Sequence, residues 1–365
     1  MQTSNDPALY WIGLSSIPGV GRVTFRKLAQ HFGSPERALS ASFQELRTIS
    51  GLSDKVLSAI TSYPWREQAE REIAKALEAG IAIIIADDAA YPATLKNIPD
   101  PPLFLYVKGD LHQGDCVAIV GTRKPTHYGL TVTSRISSEL ASAGLTVVSG
   151  LARGIDTQAH RGALSSGGRT IAVLGCGIDV VYPPENKDLL EEISRSGAVV
   201  TENPFGTQPE SGYFPARNRI ISGLSRGTVI VEATEDSGSL ITAGYAKEQG
   251  RKLFAVPGNI GAANSRGSNS LIKQGATLVE SARDILQELK IQDAGGKPAN
   301  AARDLPSLTG DEEPVFRQIT NEPKHIDILM KESNTTPAKI SGALVTLELK
   351  GLVRQLPGKY YIKEA

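Results

Sequence analysis

The chain has 365 residues with 39 basic and 39 acidic side chains, so its formal charge is zero, and that length calls for two or three domains. Hydrophobic residues at 40% and charged residues at 21% are the balance of an ordinary globular protein, which excludes a disordered chain and a protein coated in basic charge. No apolar stretch approaches the ~20 residues of a membrane span, and the N-terminus lacks the apolar run of a secretory leader, so a cytoplasmic protein with no membrane partner is expected.

Residues 1–80 read as an α-helical domain. Two turn signals, Ile17-Pro18-Gly19-Val20-Gly21 and Ile49-Ser50-Gly51-Leu52-Ser53, each precede a helical pattern. The first has the form of a helix-hairpin-helix, or SAM-like, unit. Gly19 and Gly21 let the backbone approach a phosphate, the next helix offers free N–H groups, and Arg22 and Lys27 add charge. The alternative is a tight helix–helix turn in a scaffold. A charged amphipathic helix over 66–80 ends at Gly80, and Ile81 to Ala86 is a strand candidate.

Residues 81–290 read as an α/β domain. A proline-rich lead-in precedes the strand pattern Leu103-Phe104-Leu105-Tyr106-Val107. From 116 onward apolar strands alternate with amphipathic helices. Strands are expected at Val117–Val120, Thr146–Ser149, Ile171–Leu174, Ala198–Thr201, Val229–Glu232, Leu253–Val256 and Thr277–Val279. Continuous apolar strands imply a parallel sheet covered on both faces, and right-handed crossovers make it an extended, doubly wound Rossmann-like sheet. Residues 291–310, rich in Gly, Ala, Pro and Asn, read as a linker. Residues 311–365 carry three helical patterns and a terminal hairpin around Pro357-Gly358, which predicts a winged helix.

The candidate site lies where strands meet helices, because ligands bind such sheets outside the carboxyl ends of the strands. Gly121-Thr122-Arg123 follows the first main strand, and Ser149-Gly150 with Arg153 follows the next. Arg217-Asn218-Arg219 falls in the first turn of a later helix, and Ser237-Gly238-Ser239 with Thr242 opens another. Guanidinium groups and free helix N–H groups suit phosphate. Each has a structural alternative: a surface ion pair for Arg123, pairing with Glu202 or Glu232 for Arg217 and Arg219, N-capping for Ser237 or Ser239. Residues 121–169 hold six basic side chains against two acidic ones, a local positive field in a neutral protein. Tyr128, Tyr182, Tyr213 and Phe214 adjoin these motifs and supply stacking surfaces.

Catalytic machinery is not legible. Glu232 is the one acid placed to act, and it has no second carboxylate at readable spacing. Asp156 and His160 stand four apart on one helix face and read as a cap and a satisfied histidine. Cys116 and Cys176 lie in or beside buried strands and read as reduced core residues. No spacing suggests a metal site, and no cofactor is expected.

Taken in order, Gly121-Thr122-Arg123, Ser149 to Asp156, Tyr182-Pro183-Pro184-Glu185-Asn186, Phe214 to Ile221, Ser237 to Thr242 and Val256-Pro257-Gly258 resemble the DNA-processing protein A family (DprA, also called Smf) over about 91–290. The resemblance implies a single-stranded DNA-binding protein that does not cut DNA. It also implies a homodimer that protects incoming strands during natural transformation and loads RecA recombinase onto them. The family's DNA contacts fall on Gly121, Thr122, Arg123, Ser149, Gly150, Arg217, Asn218 and Arg219, and its dimer surface near Leu271, Ile272 and Leu278. Some members place a DNA-contacting lysine just after Tyr-Pro. Here that position is Pro184, with Lys187 three residues on as the substitute. The rival reading is a nucleotide-binding or nucleotide-hydrolysing enzyme on a related Rossmann core, which needs a Pro-Gly-Gly-x-Gly-Thr loop where this chain has Ser237-Gly238-Ser239.

Overall fold

The computed structural model describes residues 6–291, 308, 310–320 and 322–363. Most of the expected linker, 292–307 and 309, lies outside the described residues.

Six helices come first: α1 (Pro7–Ser16), α2 (Arg22–Phe32), α3 (Pro35–Ser40), α4 (Phe43–Arg47), α5 (Asp54–Ser62) and α6 (Trp65–Glu78). Local chemistry sets their ends. Asp6, Ser34, Ser42 and Ser53 cap four of them through side-chain oxygens, the role short polar residues play at orphan helix N–H groups. Gly19 turns with φ +87°, and a Cβ there would come within 2.8 Å of Val56 Cγ2. The hairpin glycine is therefore also a packing requirement between the two hairpins.

The α/β unit follows: β1 (Ala82–Ile85), α7 (Ala93–Lys96), β2 (Phe104–Gly109), β3 (Cys116–Val120), α8 (His127–Ser142), β4 (Thr146–Ser149), α9 (Ile155–Ser165) and β5 (Thr170–Val173). It continues with α10 (Lys187–Ser196), β6 (Ala198–Thr201), α11 (Tyr213–Leu224), β7 (Gly227–Ile230), α12 (Gly238–Glu248), β8 (Lys252–Ala255), α13 (Arg266–Lys273), β9 (Thr277–Leu278) and α14 (Ala282–Leu289). The nine strands form one sheet in the order β1-β2-β6-β5-β4-β3-β7-β8-β9. From β3 the chain steps outward to β6, then crosses back to β7 beside β3. Both faces are covered. Val117 and Ile119 pack under α8 and α9, while Ala118 and Val120 pack under α11 and α12, the alternation that a strand imposes.

The seven strands expected from residue 116 onward, β3 to β9, are parallel, and two antiparallel strands extend the sheet at one edge. β2 runs antiparallel to β6, and β1 antiparallel to β2. The reason is connection length. Residues 110–115 alone join β2 to β3, so β2 must end at the edge where β3 begins. A parallel β2 would end on the opposite edge and need a crossover of a dozen or more residues.

The helical module is fastened to the sheet by charge. Asp100 accepts Arg22 at 2.8 Å, Arg26 at 3.0 Å and Arg219 at 3.2 Å; Glu202 accepts Arg219 at 2.6 Å and Arg22 at 3.3 Å. A second anchor is buried Glu72 of α6, which accepts from Tyr106 Oη at 3.1 Å and from the Phe205 N–H at 2.7 Å. The C-terminal unit comprises α15 (Glu312–Gln318), β10 (Lys324–His325), α16 (Ile326–Glu332), α17 (Pro337–Leu349), β11 (Val353–Leu356) and β12 (Tyr360–Lys363). Its sheet order β10-β12-β11 against three helices is a winged helix with its own core.

Cys116 and Cys176 are both buried and unpaired, and burial pushes their thiols up to about 12 and about 11. His160 is buried between α9 and the sheet. Its Nδ1 lies 2.7 Å from Thr170 Oγ1, which itself donates to the Val147 carbonyl at 2.7 Å. Nδ1 therefore carries the proton and donates. Burial, aided by the Arg217 cation, lowers the pKa of His160 to about 3. The unfolded chain then binds a proton below the ordinary value of about 6.5 that the folded chain does not. His160 thus favours folding fully above pH ~6.5 and progressively less as pH falls towards ~3, by about 1.4 kcal/mol per pH unit. The urea-unfolding free energy of His160→Gln should fall less steeply than that of the parent between pH ~6.5 and ~5. Equal slopes would mean that the imidazole is not held neutral.

Candidate nucleic-acid interface

The carboxyl ends of β3, β4 and β5 and the start of α11 enclose a narrow pocket lined by Arg123, Gly150, Arg153, Cys176, Tyr182, Phe214 and Arg217. Its floor is Arg217. This guanidinium is 5% exposed, and its Nη1 donates to the Gly150 carbonyl at 2.6 Å and to the Val173 carbonyl. Burial lowers its pKa to about 10, with Asp156 pulling the other way, so it keeps its charge at neutral pH. Asp156 lies behind the floor and accepts from the Gly150 N–H at 3.2 Å. Burial raises its pKa, opposed by Arg217. Gly150 has no room for a side chain, because a Cβ would overlap the Arg217 guanidinium.

The wall is aromatic. The Tyr182 and Phe214 rings lie 5.5 Å apart, and Arg123 Cζ sits 5.6 Å from the Phe214 centroid. Arg123 is exposed, and among the described residues no carboxylate lies within ion-pair distance of it. Arg123 is thus a cation held in place by a ring face, with its N–H fork free. Arg153 stands on the rim in an exposed pair with Glu185, Nη2 to Oε2 3.1 Å. Lys187 is exposed at the first turn of α10; Pro184 is likewise exposed.

The other sequence candidates separate by burial. Thr122 commits its N–H to the Glu232 carbonyl at 2.8 Å and its own carbonyl to the Ile155 N–H at 3.2 Å. Gly121 is required by packing, since a Cβ would lie 2.7 Å from Ile155 and 2.9 Å from the Glu232 carbonyl. Ser149 is buried and donates to the Ile119 carbonyl at 2.7 Å. Asn218 reaches sideways to the Gly238 carbonyl at 3.4 Å. Ser237 caps α12, accepting from Ser239 N–H at 3.3 Å, while Ser239 and Thr242 are buried. The α12 start lies beside the pocket and does not line it.

Neither Arg217 nor Arg219 stands free in a helical first turn: α11 begins at Tyr213, and for Arg219 the ion-pair alternative holds, with Glu202. Arg217 is the floor, and Arg219, 3% exposed, pairs with Asp100 and Glu202. Both point into the protein because α11 packs its Arg217–Ile221 face onto the sheet. In the hairpin, Arg22 is occupied by the same two carboxylates and Lys27 donates to the Ser50 carbonyl. Its charges fasten the module to the sheet and the two hairpins to each other. Leu271 lines a groove of about 370 Å³ between α12 and α13 with Leu240 and Leu253, Ile272 is half-buried, and Leu278 is 46% exposed on the edge strand.

Sequence reasoning passed over one contribution and gave another, Glu232, a different role. Leu174-Gly175-Cys176 lines the pocket, and a Cβ on Gly175 would meet Phe214 at 2.8 Å. A glycine directly after an apolar strand is the signal that could have found it. Glu232 is buried and accepts from Thr126 N–H at 2.9 Å and Thr126 Oγ1 at 2.5 Å. It places a carboxylate at the start of α8, the end of a helix that favours negative charge.

Comparison with known proteins adds to this geometry. Residues 82–290 match the family model for DNA recombination-mediator protein A, residues 299–359 that for the DprA winged helix domain, and residues 10–73 a helix-hairpin-helix motif. The chain is 36% identical to Protein Smf of Synechocystis sp., over 98% of this chain and 99% of that protein. It is 45% identical to DNA processing protein DprA of Bacillus subtilis, over 60% of this chain and 75% of that protein. Among solved structures it is similar to DNA processing protein A of Streptococcus pneumoniae, with TM-score 0.68, 36% identity and coverage of 77% of this chain and 97% of that one. It is also similar to DNA processing protein A of Helicobacter pylori, whose structure concerns its single-stranded DNA binding mode, with TM-score 0.51, 34% identity and coverage of 55% and 92%.

The two pocket arginines should separate by stability. Arg217→Ala strips donors from two buried carbonyls, which should cost about 2–4 kcal/mol. Arg123→Ala should stay within about 0.5 kcal/mol of the parent. Chemical denaturation of both variants measures this, and an Arg217→Ala protein as stable as the parent would remove Arg217 from the floor.

Proposed function

The chain belongs to the DNA recombination-mediator protein A family, and from that premise we propose that it binds single-stranded DNA at the strand-end pocket without cutting it. It protects incoming strands in the cytoplasm during natural transformation and loads RecA recombinase onto them. The observation that carries this reading is Arg123: an exposed guanidinium, free of carboxylates among the described residues, braced on Phe214 beside Tyr182. A free cation next to stackable rings suits a phosphate and its neighbouring base. The Helicobacter pylori relative, described with a single-stranded DNA binding mode, supports the same ligand.

The fixed backbone around Arg123 has a defined part in this reading. Gly121, Thr122, Ser149 and Gly150 set the loop geometry, Arg217 adds positive potential from below, and Asn218, Arg153 and Lys187 stand at the margins. Arg219, Ser237, Gly238, Ser239 and Thr242 act by holding α11 and α12 in position.

Two observations weigh against a nucleotide enzyme. The pocket encloses only about 10 Å³, whereas small-molecule sites enclose roughly 300–1,000 Å³. The crevice between β3 and β7, where the strand order reverses and a nucleotide phosphate would sit, holds the Glu232 carboxylate instead.

The winged helix fits a protein-binding or regulatory role better than groove reading. Lys339 and Lys350 of its third helix region pair with Asp311 at 2.9 Å and Glu312 at 2.6 Å. The exposed side chains of α17 include Ser341, Val345 and Leu349, not the basic and amide groups that read base edges.

Fluorescence anisotropy with labelled oligonucleotides tests the ligand. Single strands should bind more tightly than duplex, with little sequence dependence and with weakening as salt rises. Arg123→Ala should weaken binding about ten- to a hundredfold and lower the salt slope by about one phosphate. Equal affinity for single strand and duplex, or unchanged binding by Arg123→Ala, would sink the assignment. The homodimer is proposed to form through Leu271, Ile272 and Leu278; sedimentation should show a dimer at micromolar concentration, and Leu278→Glu should give a folded monomer. A parent protein that sediments as a monomer would exclude it.

A further inference from the structure

The carboxyl edge carries a second exposed surface, on the side of the first loop facing away from the pocket. The residue after Arg123 is Lys124, exposed and with no carboxylate in ion-pair range among the described residues. The Lys124 carbonyl accepts from Asn264 Nδ2 at 3.0 Å, which ties this loop to residues 257–264 beyond β8. Tyr128 makes a second tie, with its Oη donating to the Pro257 carbonyl at 2.9 Å and its ring 40% exposed.

The 257–264 loop is braced at several points. Asn269 clamps Gly258, accepting from its N–H at 3.1 Å and donating to its carbonyl at 2.9 Å. Asn259 Oδ1 accepts from the Gly261 N–H at 2.8 Å, and the Asn264 carbonyl accepts from the Ala233 N–H at 2.7 Å. On this braced loop Ile260 is 93% exposed, more than any other large hydrophobic side chain among the described residues. Arg266, two residues after Asn264, is exposed and has no ion-pair partner among the described residues.

A single exposed isoleucine needs no explanation. Here the exposed isoleucine stands on a braced loop that is tied to an exposed tyrosine and to the Lys124 backbone. With Lys124 and Arg266, both unpaired among the described residues, on the two tied segments, this edge has the aromatic and cationic groups of a single-strand platform. We propose that the strand leaving the Arg123 pocket continues over Lys124 onto this shelf, its phosphates against Lys124 and Arg266, a base stacked on Tyr128 and apolar contact made by Ile260. The proposal rests on the single-stranded DNA reading above and extends it to a second subsite.

Strand length separates the two subsites. Oligothymidylates of about 5 and about 15 nucleotides fill the pocket alone and the pocket plus the shelf respectively. The probes are titrated into the parent protein, Arg123→Ala, and the double variant Ile260→Ser/Arg266→Ala, with thermal melting of each. Both changed side chains of the double variant are exposed, so it should melt like the parent. It should bind the short oligomer as the parent does and the long one about tenfold more weakly, with a salt slope lower by about one phosphate for the long oligomer alone. A double variant that binds the long oligomer as tightly as the parent overturns the shelf and leaves the pocket standing. A parent protein that binds neither oligomer, or an Arg123→Ala protein that binds both normally, overturns the underlying reading and the shelf with it.

Discussion

Arg217 is 5% exposed, and although its Nε has no partner, its Nη1 finds two oxygen acceptors inside the protein. Two neighbouring loops supply them: Gly150 after β4 and Val173 at the end of β5. That pairing fixes the distance between two strand ends and the start of α11. It also forbids a side chain at residue 150, and it turns the Asp156 carboxylate towards the Gly150 N–H. Above this floor Phe214, three residues earlier on the same helix, stands where Arg123 can rest on its face. The exposed arginine is therefore positioned by the buried one.

Charge is used in opposite senses at the two ends of the crevice. Next to α8 the protein supplies its own anion, Glu232, and the Thr126 donors there are consumed. Next to α11 it supplies cations and leaves one of them unpaired. On the proposed DNA-binding reading, this arrangement turns a phosphate away from the point where the strand order reverses and towards Arg123. The proposed placement departs from the usual one for nucleotides on such sheets, and the buried Glu232 is the reason offered for it.

The helical module and the pocket are parts of one construction. Arg219 lies two residues from Arg217 on α11, and it shares Asp100 and Glu202 with Arg22 of the hairpin. One helical turn thus faces the pocket through its first arginine and the N-terminal module through its second. Glu72 fastens the same module to the 205 loop, which is tied to the pocket wall through the Gly177 N–H and the Thr207 carbonyl at 2.9 Å. The hairpin's cations, which by composition suit DNA, are spent on this attachment.

The alternation of buried apolar runs with amphipathic helices was legible in the sequence, because strand and helix periodicity are local properties. The same holds for the carboxyl-edge placement of Gly121-Thr122-Arg123 and Ser149-Gly150, and for the winged-helix order of three helices and a hairpin. Arg123 could be singled out in the same way, as a charge directly after a strand. What the sequence could not decide was which arginines face water. Arg217 and Arg219 share a motif with their neighbours, yet their partners, Gly150 and Asp100, lie 67 and 119 residues away. The antiparallel edge strands, the carboxylate in the crevice and the occupied hairpin cations have the same origin. Each depends on where distant backbone ends arrive once the sheet is assembled, and a buried charge takes whichever partner that assembly brings within reach.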